Sequence, residues 1–457
     1  MDLLARIARC SGIGPEADLN GHCRSVNGQN TTRLVGFAGG ILRPVRRFFT
    51  SSLVAFLSVI TLSAQRSTVP PQDPLALTNA NVVNVRTGAI TRGATVVLRG
   101  GRIESVGPPS PGGYGAMRAI DLRGRYVVPG LIDAHVHIGG LPQMRAALES
   151  GVTTVRSAGV SHFVDVGLRD LARRGFIAGP DMIAAGYHVR PSIAAEFFLD
   201  FPGEGDLMAG TGTADALRRM VRANLSRGVD WIKTNATERA GTPDTDPRRQ
   251  IYSQEELRIL VVEAGAKNIP VMAHAHGAEG ADAAVRAGVR SIEHGTYLMD
   301  ETLQMMAKQG TYFDPTADIV NDLADPGGDY DNAGLIRRGE MMQPILMAAI
   351  GKAAKLGVKI VAGSDTGYGP NSIARVSREI GMLVQAGLTP LQALQAATLT
   401  NAEMLRLEKQ IGVLEAGFEA DVLVVEGNPL ENVRTLLDPL LVISNGRLAL
   451  DRMSFGK

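Results

Sequence analysis

Short apolar segments alternate with helical segments through the middle of the chain. Helical patterns such as ADALRRMVRANLSRG and SQEELRILVVEAGAKN separate the apolar segments, and Ser253 followed by Glu256 predicts a capping box at the start of the second. Together with the strand that ends in LIDAHVH, these segments make eight β/α units, the number found in a TIM barrel. The seven later strand candidates are 153–159, 181–187, 231–237, 270–276, 291–296, 311–318 and 359–367.

The segments on either side of this alternation predict antiparallel strands instead. ALTNANVVNV, GATVVLRGGRIESVG and AIDLRGRYVVPG are separated by turn signals, and ADVLVVEG and PLLVISNGRLAL repeat the style near the C-terminus. Asn445-Gly446 is a strong signal for a tight hairpin. We expect the two ends of the chain to pair into one small β domain, preceded by an exposed linker at 67–74.

The first 65 residues have a different pattern. Residues 43–65 combine a basic start, an apolar centre and a small-residue end, which predicts an export signal. Arg46 and Arg47 followed by two phenylalanines resemble a twin-arginine signal, although the segment also allows a membrane anchor. Both cysteines, Cys10 and Cys23, precede this signal, so a mature chain has no thiol chemistry. We therefore expect an exported protein, periplasmic or secreted.

Composition narrows the function classes. The 457 residues carry a formal net charge of +1, with 45% hydrophobic and 20% charged residues, which is typical of a soluble globular protein with a full core. Nothing resembles a basic patch interleaved with aromatic residues, so we expect no nucleic-acid partner. After removal of the signal we expect no stable membrane span, and we expect a homo-oligomer.

Polar residues stand where the predicted parallel strands end. In a TIM barrel these carboxyl ends meet at the face that carries the active site. Imidazole and carboxylate groups suit Zn²⁺ or a similar divalent ion, so the set predicts a metal site. Two histidines alone could be ordinary hydrogen-bonded core residues; five strand ends in register are harder to attribute to chance. The residues are His135, His137, Lys233, His274, His276, Glu293, His294 and Asp365.

Lys233 is unusual in this set because an ammonium group cannot bind a metal. A lysine that has reacted with carbon dioxide becomes an anionic carbamate with two oxygens, which can bridge two cations. The alternative is a salt bridge at the end of the strand.

With these motifs in order, the chain resembles the metal-dependent amidohydrolase superfamily. The resemblance is carried by PGLIDAHVH, GVTTVR, GVDWIKTNATE, VMAHAHG, GVRSIEHGT, AGSDTG and GVLEAGFEADVLVVEGNP. It implies a distorted (β/α)8 TIM barrel at 131–406, a small β-sandwich domain formed by both termini at 76–130 and 407–457, and an N-terminal extension with the export signal at 1–65. Relatives often have an aspartate where this chain has Ser157, so an acidic contact near strand two is missing or replaced.

The resemblance also implies a cofactor arrangement of two divalent ions, most often Zn²⁺. It implies His135 and His137 as ligands of the first ion and His274 and His294 as ligands of the second. Lys233, carbamylated by CO2, would bridge the two. Asp365 would serve as ligand and acid–base group, and His276 would face the substrate or orient a ligand.

IKTNATE and AHAHG are most similar to a branch containing Xaa-Pro and Xaa-Arg dipeptidases, N-acyl-amino-acid amidases and ochratoxin-hydrolysing amidases. Such relatives cleave an amide beside a free carboxylate, and an arginine can bind a carboxylate through two parallel hydrogen bonds. The segment GYHVRP therefore offers Tyr187, His188 and Arg190 as candidate substrate-binding residues, although Arg190 could equally be a surface arginine. The loop at 321–334 carries four aspartates and could attract a cationic substrate or simply be solvated.

The sequence thus predicts a dinuclear-metal hydrolase of small amides, such as dipeptides or N-acyl amino acids, acting through a metal-bridging hydroxide. One alternative is hydrolysis of a cyclic amide or amidine, as in imidazolonepropionase-like relatives. Another is a metal- or ligand-binding protein without turnover; the presence of Asp365 argues against it, because binding alone needs no proton acceptor.

Overall fold

The computed structural model describes residues 74–453. The predicted export signal at 43–65 and both cysteines lie outside the described residues. Across 74–453, none of the helices combines the length and the apolar character needed to cross a membrane.

Strands from both ends of the described chain form one mixed sheet. Its strands are β1 (Leu75–Val83), β2 (Ile90–Arg99), β3 (Arg102–Gly107), β4 (Arg118–Asp121), β5 (Tyr126–Pro129), β13 (Val422–Val425), β14 (Leu441–Ser444) and β15 (Arg447–Asp451). They run in the order β15-β14-β13-β5-β1-β2-β3, with β4 paired to β1. Antiparallel pairing of Leu423 with Val128 joins the two ends directly. The predicted pairing of both termini is confirmed at the level of one sheet; a sandwich of two sheets stays a prediction.

The middle of the chain forms parallel strands alternating with helices, which gives a mixed α/β fold. The strands are β6 (Leu131–Val136), β7 (Val152–Ser157), β8 (Asp181–Ile183), β9 (Ile232–Asn235), β10 (Val271–Ala275), β11 (Ser291–His294) and β12 (Tyr312–Asp314). They pair as β6-β7-β8 and as β12-β11-β10-β9. Every residue of β6, β7, β9, β10 and β11 is buried, as expected for parallel strands covered on both faces.

Backbone hydrogen bonds also link these two parallel sheets. The Val189 N–H donates to the Lys233 carbonyl at 2.8 Å, and the Asp230 N–H donates to the Ala184 carbonyl at 2.8 Å. The loop after β8 therefore lies along β9, and it brings His188 beside the end of that strand.

The eighth predicted strand, 359–367, is not a regular strand among the described residues. The Val361 N–H donates to Phe313 on one side and the Ala134 N–H donates to Ala362 on the other, so the segment bridges β12 and β6. A Cβ on Gly363 would lie 2.6 Å from Cβ of His135, and Asp365 adopts a left-handed φ of 52°. These two features explain why the segment makes isolated bridges rather than a ladder.

Twelve α-helices occur in the described part of the chain. They are α1 (Leu141–Glu149), α2 (Val164–Arg173), α3 (Ala195–Asp200), α4 (Ala214–Ser226), α5 (Gln254–Gly265), α6 (Ala278–Ala287), α7 (Asp300–Gln309), α8 (Ala317–Ala324), α9 (Ala333–Lys355), α10 (Val376–Gln385), α11 (Pro390–Ala396) and α12 (Leu399–Leu405). Short 3₁₀ turns lie at Ser161–Phe163, Pro202–Ala209 and Val433–Leu437.

Local signals in the sequence place several of these elements correctly. The Ser253 side chain accepts from the Glu256 N–H while the Glu256 carboxylate accepts from the Ser253 N–H, so the predicted capping box at the start of α5 is confirmed. Asn445 and Gly446 join β14 to β15 with φ values of 51° and 77°, the left-handed pair that a tight hairpin requires.

Candidate metal centre

Strand β6 delivers two imidazoles to one carboxylate. His135 is buried within the strand and His137 follows it, so alternation directs both side chains the same way. Nε2 of His137 lies 3.0 Å from Oδ1 of Asp365, and Nε2 of His135 lies 3.3 Å from the same oxygen. The segment at 359–367 holds Asp365 there, because the Asp365 N–H donates to the His135 carbonyl at 2.8 Å.

Hydrogen bonds fix which nitrogen of each of these rings carries the proton. Nδ1 of His137 donates to the Gly159 carbonyl at 2.8 Å, and Nδ1 of His135 donates to Oε2 of Glu293 at 3.0 Å. Burial lowers the pKa of His135 to about 4, so that ring is neutral near pH 7. Each ring therefore keeps Nε2 as the nitrogen that can bind a cation, and both Nε2 atoms face the Asp365 carboxylate. Lone pairs that converge in this way are the arrangement a cation satisfies.

In a second pair of imidazoles, too, one nitrogen of each ring is hydrogen-bonded to the protein. Nε2 of His274 donates to the Glu238 carbonyl at 3.1 Å, which leaves Nδ1 unprotonated. Nδ1 of His294 donates to Oγ1 of Thr316 at 2.7 Å, because that hydroxyl gives its own hydrogen to the Pro315 carbonyl. The pKa values of both rings are well below the usual range because the rings are buried.

Ligand-type atoms from these residues come close enough to share an ion. One nitrogen or oxygen from each of His135, His294 and Asp365 lies within 4.8 Å of the others, and so does one from each of His274, His276 and His294. Rings of His276 and His294 stack with centroids 4.6 Å apart. His276 is thus near enough to be a ligand as well as a substrate contact.

Lys233 lies buried in β9 at the middle of this cluster. Its Nζ is 3.3 Å from Nε2 of His135, and no carboxylate within 74–453 forms an ion pair with it. Burial lowers the pKa of Lys233 to about 8. The salt-bridge interpretation of Lys233 therefore has no partner in the described residues. A donor set of imidazoles and a carboxylate fits a divalent metal site.

A buried arginine, which the sequence analysis did not single out, is hydrogen-bonded to the residues that hold the cluster. Arg156 in β7 donates to Glu293 at 2.7 Å and to the Ala134 carbonyl at 2.5 Å. Glu293 in turn accepts from His135, and its pKa stays below the usual range because Arg156 and His135 outweigh the effect of burial. A charged residue inside the apolar strand TTVRS was the available signal, since buried charges need a partner.

Ser157, the last residue of β7, contacts the turn that follows it. Its Oγ accepts from the Gly159 N–H at 3.2 Å, and the Gly159 carbonyl accepts from His137. The serine thus helps to fix the turn that orients His137.

Backbone strain is concentrated in the same cluster. His294, Thr316 and Asp365 have φ values of 75°, 47° and 52°, all in the left-handed region that non-glycine residues rarely adopt. Asp133 helps to hold the Asp365 segment, because its carboxylate accepts from the Ser364 N–H at 2.9 Å and from the Tyr368 hydroxyl at 2.8 Å. Such strain persists only where the surroundings over-determine it, as in binding sites.

A cavity of about 500 Å³ opens onto the cluster. Of the predicted substrate-binding residues, His188 and His276 line it. His188 stacks on His137 with ring centroids 5.8 Å apart, and its buried Nδ1 has no hydrogen-bond partner in the described residues. The other lining residues are His135, His137, Lys233, Asn235, Arg239, Ala240, Gly241, His274, His294, Ile319, Val320, Leu323, Tyr330 and Asp365.

Tyr187 and Arg190 differ from the prediction, because neither is among the lining residues within 74–453. The Tyr187 hydroxyl donates to Asp200 at 2.6 Å and its ring packs against Phe163 and Phe197. Arg190 donates to the Ser192 carbonyl at 3.1 Å. The chain reverses at Gly186, whose φ is 69°, so successive residues of GYHVRP face different surroundings.

Comparison with known proteins agrees with this geometry. The model of the amidohydrolase family matches residues 126–449. The chain belongs to the amidohydrolase family. It is therefore a hydrolytic enzyme that acts on C–N bonds.

Individual relatives point to the same branch. Ochratoxinase from Aspergillus niger is 28% identical over 361 residues, which cover 69% of this chain and 73% of that protein. A solved Xaa-Pro dipeptidase with methionine bound in its active site is 27% identical with a TM-score of 0.74, covering 82% of this chain and 99% of the other. A putative prolidase from Bifidobacterium longum is 31% identical with a TM-score of 0.72, covering 83% and 95%. The resemblance seen in the sequence is confirmed.

Proposed function

We propose that this protein hydrolyses the amide bond of small substrates such as dipeptides or N-acyl amino acids, with two divalent metal ions as cofactors. One observation carries the proposal: four imidazoles, each with one ring nitrogen hydrogen-bonded to the protein and the other available to a cation, converge with Asp365 beside a buried lysine at one cavity.

The ligand set divides between the two sides of the cluster. His135 and His137 would hold one ion, His274 and His294 the other, and Asp365 would contribute a carboxylate oxygen. When bound, such a pair of ions polarises the substrate carbonyl and supplies a nucleophilic water at neutral pH. The mixture of imidazole and carboxylate favours Zn²⁺.

Lys233 would bridge the ions as a carbamate. Carbamate formation needs the neutral amine, because its nitrogen lone pair attacks the carbon of CO2 and a proton then leaves. The pKa of about 8 gives Lys233 a neutral fraction near pH 7 far above that of a solvent-exposed lysine. Because no carboxylate of the described residues forms an ion pair with Lys233, its Nζ can react and the product anion can face the cluster.

Asp365 would move the proton. Its pKa stays below the usual range despite burial, because the positive charge that His135, His137 and Lys233 can carry favours the ionised carboxylate, and bound cations would favour it further. An oxygen of Asp365 can accept the proton of the attacking water and pass it to the leaving nitrogen. His188 and His276 line the same cavity and would orient the substrate beside it.

The two alternative functions, metal binding without turnover and hydrolysis of cyclic substrates, require different properties of the site. A metal-binding protein without turnover needs no proton acceptor, whereas Asp365 would serve as one here. Hydrolysis of a cyclic amide or amidine uses the same cluster, so substrate tests must separate it. We also infer the closed, distorted (β/α)8 barrel, the terminal β-sandwich and the export of the mature protein, as the sequence predicts.

The experiment is an assay of dipeptides, N-acyl amino acids and hydantoins with the metal-loaded protein, combined with elemental analysis. We expect about two divalent ions per chain and turnover of linear amides. Full activity with at most one ion per chain would contradict the paired site. Turnover of cyclic substrates alone would favour the imidazolonepropionase-like alternative.

A further inference from the structure

Arg239 lies at the cavity on the turn that also orients a predicted ligand. It follows β9 in the chain and lines the cavity together with His276 and Tyr330. Its neighbour Glu238 accepts from His274 with its carbonyl and pairs with Arg249 through its carboxylate at 3.3 Å. The position of Arg239 is thus tied to the metal cluster by the same short segment.

Within residues 74–453 the guanidinium of Arg239 is free of protein partners. In the described residues no hydrogen bond or ion pair engages it, and the residue is exposed. Neighbouring arginines differ: Arg338 donates to backbone carbonyls of Ala240 and Thr245, and Arg190 donates to Ser192. Arg239 therefore offers up to five N–H donors in a fork that matches a carboxylate.

The charge balance of the cavity wall also favours an anion. Asp365 is the lone carboxylate among the described lining residues, and it belongs to the metal cluster. The aspartates of the 321–334 loop do not line the cavity, so they give no support to a cationic substrate. After burial, the charge of Arg239 is a further cause of the lowered pKa of His276 and Arg190, and an incoming anion would relieve that repulsion.

We infer that Arg239 binds the free carboxylate of the substrate and makes the enzyme selective for amides that carry one beside the scissile bond. This inference rests on the proposed function and names the substrate class for the same site. The apolar wall of the cavity, formed by Ile319, Val320 and Leu323 of α8, suits a substrate with an apolar side chain. N-acetyl-L-phenylalanine combines both features and is the probe for the test.

The test compares this probe with N-(2-phenylethyl)acetamide, which has the same amide and ring but lacks the carboxylate. For Arg239→Gln we expect kcat/KM on N-acetyl-L-phenylalanine to fall by about 10- to 100-fold, mainly through KM, as for loss of a hydrogen bond to a charged group. Hydrolysis of the analogue should not change. Arg239→Lys keeps the charge and should recover part of the loss.

Arg249→Gln is the matched control, because Arg249 is an exposed arginine outside the cavity lining. Equal losses on both substrates in Arg239→Gln, or no loss on either, would overturn the role of Arg239 while leaving amide hydrolysis intact. A wild-type enzyme that prefers N-(2-phenylethyl)acetamide to N-acetyl-L-phenylalanine would also overturn the role of Arg239.

Failure of the proposed function can be separated from failure of this inference. If the wild type hydrolyses neither compound, titration calorimetry with N-acetyl-L-phenylalanine decides. Binding by the wild type that is weakened in Arg239→Gln and kept in Arg249→Gln supports the carboxylate contact. Equal affinities, or no binding by the wild type, refute it.

Discussion

Oε2 of Glu293 lies 3.0 Å from Nδ1 of His135 and 2.7 Å from Nη2 of Arg156. One carboxylate oxygen therefore connects a predicted metal ligand to a fully buried guanidinium. Because Glu293 accepts from Nδ1, the His135 ring must present Nε2 to Asp365. The buried charge of Arg156 keeps that acceptor ionised, and the stacking of Arg156 over Trp231 at 4.6 Å fixes the guanidinium.

Replacing Arg156 with methionine should therefore destabilise the protein. Arg156→Met leaves Glu293 buried without its cation, and breaking such a pair from one side costs about 3–5 kcal/mol in the free energy of unfolding. Urea unfolding of the metal-free protein measures it. The double variant Arg156→Met/Glu293→Gln should regain part of the loss; a single variant as stable as the wild type would show that Glu293 does not need this cation.

Glu419, far along the chain from the metal cluster, should make the free energy of unfolding depend on pH. Burial and the nearby Asp181 raise the pKa of Glu419 from 4.5 to about 7, while Arg102 opposes the shift. Since the folded state holds this proton more tightly than the unfolded state, the stabilising contribution is complete below pH 4.5 and is lost as pH rises towards 7.

Glu419→Gln should remove this pH-dependent contribution to the free energy of unfolding. At pH 8 the variant should exceed the wild type in unfolding free energy by roughly 1–3 kcal/mol, and at pH 4.5 the two should be equal. Asp181 and Asp421 also have raised pKa values because they are buried, so some pH dependence will remain. Glu415→Gln, at an exposed ion pair with Arg86, is the control. A constant difference across pH would contradict the assignment.

Sequence reasoning succeeded where chain geometry leaves little freedom. Residues that end parallel strands must meet at one edge, so His135, Lys233, His274 and His294 were predictable as neighbours. Arg156 was missed because burial of a charge depends on Glu293, which is distant in sequence. Within GYHVRP the sequence does not fix which side chains turn towards the cavity, and His188 does while Tyr187 packs into the core.

The segment at 359–367 was also predicted only in part from the sequence. AGSDTG is apolar before its polar end, which predicts a strand, but Gly363 packs against Asp314 and His135 too closely for a side chain. The close approach depends on both neighbouring strands, and no local pattern reports it. Arg239 and Tyr330 line the cavity from loops, whose paths are set by tertiary contacts.

Lys233→Ala should lose the metal bridge and most of the activity, because alanine cannot form a carbamate. Short carboxylic acids such as formate or acetate should restore part of the metal content and turnover, since a carboxylate presents two oxygens as a carbamate does. Metal analysis and turnover, each with and without the acid, measure both effects. Lys409→Ala, at an exposed lysine, is the control. Wild-type activity in unsupplemented Lys233→Ala would exclude a bridging role.

Asp365 and Asp133 offer a matched pair for separating chemistry from scaffolding. Asp133 lies in β6 and Asp365 lies in the segment at 359–367 that is hydrogen-bonded to β6, but the contacts of the two carboxylates differ. The Asp133 carboxylate accepts from Ser364 and Tyr368 and is not among the described cavity-lining residues, whereas Asp365 lines the cavity between His137 and His294. Asp133→Asn should therefore lower the melting temperature through lost hydrogen bonds, with a smaller effect on turnover per folded, metal-loaded molecule.

Asp365→Asn should show the reverse pattern. Asparagine keeps the size of the side chain and one coordinating oxygen but cannot accept a proton near neutral pH. The variant should fold and retain most of its metal, while turnover falls by about 10²–10⁴, the usual contribution of general acid–base catalysis. Metal content, melting temperature and turnover measured on one preparation distinguish the two roles. Near-normal turnover in a folded, metal-loaded Asp365→Asn would mean that the proton is accepted elsewhere, and His188 and His276 would then be the residues to test, because both line the same cavity.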